Sequence, residues 1–150
     1  MNAFFGEVDL TFDHVKAITR AMFALAKVDG LHERELGLIQ EFYDGCARAG
    51  DPSIDDVVTG AYDHAEAAKL FNTRDLAQLF VKNMMLLAFA DGVYAREEDS
   101  LLREWAKGLG LSGADVDALH ESTKEFLLGS LAHIENIDAL REVAKRLDLT

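Results

Sequence analysis

Ala26-Lys27-Val28-Asp29-Gly30-Leu31-His32-Glu33-Arg34-Glu35-Leu36 comes back, altered but legible, as Ala88-Phe89-Ala90-Asp91-Gly92-Val93-Tyr94-Ala95-Arg96-Glu97-Glu98. Each copy ends an apolar run at Asp-Gly and follows the glycine with arginine and glutamate. A shift of 62 lays residues 25–43 over 87–105, with six of nineteen positions identical: Leu25/Leu87, Ala26/Ala88, Asp29/Asp91, Gly30/Gly92, Arg34/Arg96 and Glu35/Glu97. Leu31 meets Val93, Ile39 meets Leu101, and Tyr43 meets Trp105. A match through a whole apolar run, turn and second run points to a duplicated helix–turn–helix unit. Two copies at this period are a duplicated domain, not a solenoid.

Working outward, apolar residues recur at three and four, the period of helices. Val15, Ile18, Met22 and Leu25 form the stripe that ends at Asp29-Gly30, and a second helix runs from about Glu33 to Ala49 with Leu36, Ile39 and Tyr43 on one face. Gly50-Asp51-Pro52 stops it, and Ser53 with Asp56 opens a third helix reaching about Leu70. Asn72 or Thr73 caps a fourth. A fifth spans about Arg96 to Leu109, Ser112 and Asp115 start a sixth to about Leu128, and Asn136 caps a last one. Strand-like alternation is missing, so the fold class is all-α. The expected fold is a compact bundle of about seven helices, built from two pseudo-repeated three-helix units (12–71 and 74–128) plus a C-terminal helix at 136–148. Residues 76–90 are apolar nearly all round, which marks a central helix, and the stripe on 15–28 is expected to cross it.

Composition bounds the function. The chain has 150 residues, 27 acids and 15 bases, for a net charge of −12. Residues 1–75 hold 14 acids and 7 bases, and 76–150 hold 13 and 8, so no region favours a polyanion and nucleic acid is excluded as a partner. The lone Cys46 permits no internal disulfide and no four-cysteine zinc site, and reads as an apolar filler. The first residues lack a signal-peptide pattern, and the longest apolar run, 84–90, is far below the ~20 residues of a membrane span. A cytoplasmic location without direct membrane insertion is the expectation, with Phe4, Phe5 and Phe12 packed on the core rather than in a lipid surface.

The paired motifs at 26–36 and 88–98 resemble those of the TerB-like family, named for tellurite-resistance protein B, over about residues 12–112. The resemblance implies an all-helical bacterial stress protein linked to tellurite or phage-related resistance. It also implies a protein partner, one associated with membranes, a divalent-cation role, and no known catalysis. This sequence departs from the family at Glu33 and Ala95, where a Ser or Thr followed by Pro often caps the second helix of each unit. J-domain fusions of related proteins are not matched, since no His-Pro-Asp occurs here.

Asp29 and Asp91 close helices at the end where the macrodipole disfavours an acid. One reading is structural: the aspartates accept from the open amides of the next helix, as an Asx-turn does. The other is a calcium or magnesium ion, a hard cation that takes carboxylate oxygens, held by Asp29, Glu33 and Glu35 and by Asp91, Glu97, Glu98 and Asp99. A twelve-residue EF-hand loop is excluded, because placing Gly30 or Gly92 at its sixth position puts Leu25 or Leu87 at the first. No Glu-x-x-His, phosphate loop or dinucleotide fingerprint occurs, and catalytic residues are not assigned. Among the histidines, the Asp29/His32 and Asp117/His120 pairs read as surface neighbours, and Tyr43 and Trp105 as core. Three functions stay open at this point. They are a non-enzymatic acidic module that binds a partner, with a divalent-cation role and room for self-association; a carboxylate–metal hydrolase using the same acids; and a scaffold without an ion.

Overall fold

The computed structural model describes residues 10–30, 33–89 and 95–131, without the side chains of 29 and 129–131. The expected helix at 136–148, Phe4, Phe5 and the Asp91-Gly92 turn lie outside the described residues. Within them the chain is all-α, with seven α-helices and no strand. They are α1 (Phe12–Ala26), α2 (Glu33–Cys46), α3 (Ile54–Val58), α4 (His64–Leu70), α5 (Arg74–Ala88), α6 (Arg96–Gly108) and α7 (Gly113–Leu131).

Local chemistry sets most of the boundaries. Thr11 opens α1 with a capping box in which His14 takes the reciprocal role. The Thr11 amide donates to His14 Nδ1 at 3.1 Å, so the ring proton sits on Nε2 and reaches the Leu70 carbonyl at 2.9 Å. One side chain thus fastens the start of α1 to the end of α4. Ser53, Asp63 and Thr73 cap α3, α4 and α5 by accepting from the amides three residues on. Ser112 and Asp115 close a reciprocal box at α7. The Ser112 amide and hydroxyl and the Arg74 guanidinium hold the Asp115 carboxyl at about 2, well below its ordinary value.

The third expected helix, 53–70, is in fact two. The chain breaks after Val58, passes Gly60 and restarts at His64. A Cβ at Gly60 would meet the Arg20 guanidinium, the flexible end of a long side chain, which would have to shift to make room. Arg20 Nε donates to the Val57 carbonyl at 2.8 Å, alongside the Gly60 amide, which donates to the same oxygen at 3.3 Å. The expected face of the second helix also needs correction. Leu36 is 40% exposed, while Glu35 is buried beside Ile39 and Tyr43.

α5 is central, as its composition predicts. Nine of its fifteen residues are buried, and it packs against α1, α2, α6 and α7. α1 crosses it and touches α2, α3, α4 and α6 as well. Ile18, Met22 and Leu25 of α1 meet Phe80, Met84 and Leu87 of α5 in one cluster, completed by Leu102 and Trp105. Buried Thr19, Asn83 and Thr123 each donate to the carbonyl four residues earlier in their own helix. Tyr43 and Trp105 are core residues, as expected.

The first Asp-Gly turn has a glycine-only backbone. α1 runs into a 3-10 turn at Lys27–Asp29, and Gly30 follows at φ 95°, ψ 151°. No atom lies within 4 Å of where a Gly30 Cβ would stand, so the cost of a side chain is purely conformational. Gly30→Ala should destabilise by about 1–3 kcal/mol. Gly37→Ala, in the interior of α2 and equally unobstructed, should stabilise by about 0.5–1 kcal/mol. Urea midpoints moving the same way in both variants would contradict this backbone.

Candidate functional site

Two turn–helix units carry the candidate acids. In the first, Glu33 is the first residue of α2 and exposed, and Glu35 is the third and only 1% exposed. In the second, Arg96 opens α6 after Ala95, which supplies no side-chain cap. Glu97 is exposed, Glu98 is 1% exposed, and Asp99 is half-buried and accepts from Arg103 Nε at 2.9 Å. Arg103 also donates to Asp117 at 2.6 Å, tying α6 to α7, and the two partners raise its pKa, Asp117 foremost.

The structure therefore brings out two of the seven candidates as equivalent. Glu35 and Glu98 are each the third residue of their helix, and each lies four before a buried leucine or isoleucine, Ile39 or Leu102. The sequence alignment paired Glu35 with Glu97 instead. Helix bounds bear on the difference: α1 and α5 keep the offset of 62 at both ends, whereas α2 and α6 start 63 apart and end 62 apart, so the connection before α6 is one residue longer. Glu98 was findable from its spacing, because it lies seven residues before Trp105 on the buried face of α6. Leu101, which the alignment set against Ile39, is only half-buried.

A carboxylate at the third position faces the positive end of its helix dipole and can take part in an N-terminal capping box. Glutamate is nonetheless almost never fully buried unless paired or bound to a cation. The donor set suits a hard cation, since every candidate is a carboxylate. Among the described residues, no three His, Cys, Asp or Glu side chains gather as a metal would need. Any larger set would draw on the Asp29 side chain and on Asp91, which lie outside the described residues. His32 lies outside them too. The His120 ring lies tilted against Phe89 at 5.3 Å between ring centres, and burial lowers its pKa. Cys46 is half-buried beside Val15, Tyr43 and Val57, and burial raises its thiol pKa, which suits a filler. Among the described residues, no helix is long and apolar enough to cross a membrane.

The arrangement defines an all-helical protein with paired acidic turn–helix units. The family model for tellurite resistance protein TerB matches residues 38–121, more than half of the chain, and the protein belongs to that family. No curated protein and no solved structure gives a significant match.

Proposed function

We propose that this TerB-family chain is a non-enzymatic, acidic binding module of tellurite or related stress responses. It engages a protein partner, and a divalent cation at the turn–helix units governs that engagement. The observation that carries the reading is the pair of buried glutamates, one at the same helical position in each unit. Buried carboxylates are costly to desolvate, and a cation would add to the contacts that Glu35 and Glu98 already make within the fold. Partner contact is supported by exposed apolar surface. Val28 and Leu36, two of the three large exposed apolar side chains among the described residues, flank the first turn in sequence. A cation that orders the turn would also order these flanks.

Calcium and magnesium titrations, followed by calorimetry and by melting temperature, test the proposal. Wild-type protein is expected to show saturable binding at or below about millimolar ion, the weak end of oxygen-ligand sites. Asp29→Asn with Asp91→Asn should abolish it while leaving metal-free stability nearly unchanged, because asparagine keeps the carbonyl acceptor a turn needs. An ion-independent melting temperature with no heat of binding in the wild type would overturn the cation role. It would leave the aspartates as turn formers, for which alanine costs about 0.5–2 kcal/mol.

A further inference from the structure

We propose that a second site, a cavity between the end of α1, the segment before α4 and Trp105 of α6, binds a small aromatic anion. It is a cavity of about 530 Å³ walled by Arg20, Phe23 and Lys27 of the α1 end, by the 58–61 segment, and by Tyr62, His64 and Trp105. That volume falls in the ordinary range for small-ligand pockets.

Charge is the first argument. The chain carries 27 acids against 15 bases, yet both charged residues on the described walls are cations. Among the described residues, neither Arg20 nor Lys27 pairs with a carboxylate. Arg20 spends one donor on the Val57 carbonyl, and Lys27 Nζ stands 4.4 Å from the Phe23 ring centre. A guanidinium has five donors, which leaves a fork suited to a carboxylate or phosphate. The backbone is shaped around it, since Gly60 leaves the space that the guanidinium fills.

The remaining walls select a planar ring. Tyr62 and Trp105 lie 4.7 Å apart between ring centres, and the Tyr62 hydroxyl meets His64 Nδ1 at 2.8 Å, fixing both rings. Burial holds His64 below its ordinary pKa against the opposing pull of Glu104 and Asp63, so it lines the wall as a neutral ring. Aromatic faces beside two cations match a flat apolar body with one anionic end. The net charge of the chain still repels long polyanions, but salt screens it within about 8 Å, so a small anion responds to the local cations.

Trp105 is the sole tryptophan and reports directly on the cavity. The probe is 4-nitrobenzoate, which quenches indole fluorescence on contact, read against free N-acetyltryptophanamide to remove collisional quenching and absorption. Saturable quenching is expected in the wild type. The dissociation constant should rise about tenfold in Arg20→Gln and in Lys27→Gln, the scale of one lost charge-assisted hydrogen bond. Lys27 is exposed, so its variant carries the test if Arg20→Gln does not fold. Neutral 4-nitrobenzamide should bind at least as poorly as those variants do, and inorganic phosphate should not displace the probe at equal concentration. Non-saturating quenching, equal binding of the amide, displacement by phosphate, or an unchanged constant in Lys27→Gln would each overturn the proposal.

Discussion

Replacing Phe80 by alanine should lower the unfolding free energy by about 3–5 kcal/mol, a large part of the 5–15 kcal/mol that domains usually possess. Phe80 is fully buried near the middle of α5. Its ring lies 5.1 Å from that of Phe71, 6.0 Å from Tyr62 and 6.1 Å from Trp105, so three other segments rest on it. Truncation forfeits the transfer of the ring from water and leaves a void that four helices cannot all close upon. The measurement is a urea titration followed by far-ultraviolet circular dichroism. Leu36→Ala is the control, since Leu36 is exposed, and its midpoint should stay within about 0.5 kcal/mol of wild type. Equal midpoints for the two variants would remove α5 from the centre of the fold.

The second large effect concerns the buried acids. At a calcium concentration a hundredfold above its dissociation constant, a cation site stabilises the native state by about 2.7 kcal/mol. Glu35→Gln with Glu98→Gln should erase that increment. Glutamine keeps the length and shape of the side chain and serves equally in a capping box, so only the charge is removed. Metal-free stability of the double variant reads out separately the contacts those carboxylates already make within the fold. Thermal melts with and without calcium separate the terms. A calcium-dependent shift surviving in the double variant would place any bound cation elsewhere. A variant that loses stability without calcium would mark the glutamates as structural charges.

How far the sequence could be read depended on the range of the forces involved. Helix class, the centrality of α5 and the caps at Ser53, Thr73 and Ser112 follow from residues within one or two turns of each other, and all were legible. The break near Gly60 was not, and the Arg20 side chain that meets it at Val57 lies 37 positions away in the chain, beyond any local pattern of apolar spacing. The register error between Glu97 and Glu98 has a different origin. Identity alignment treated both turns as equal in length, whereas burial follows the helix face, and one added residue rotates that face by roughly 100°. Arg20 and Lys27 at the end of α1, Tyr62 before α4 and Trp105 in α6 lie far apart in the chain, so only the folded chain shows that they share a cavity.

The position of α5 bears on how the molecule comes apart. Its buried side chains serve α1 and α2 of the first half of the chain as well as α6 and α7 of the second, so a helix of the second half is shared by both. Remove it and α1 loses the partner for Ile18, Met22 and Leu25, while α7 loses Met85, whose sulfur sits 3.6 Å from the Thr123 hydroxyl. Neither half keeps a closed interior of its own, whatever duplication the sequence records. Amides in α1, α5 and α7 should therefore exchange with solvent through one shared opening rather than in two independent steps, with the short α3 opening more readily around it.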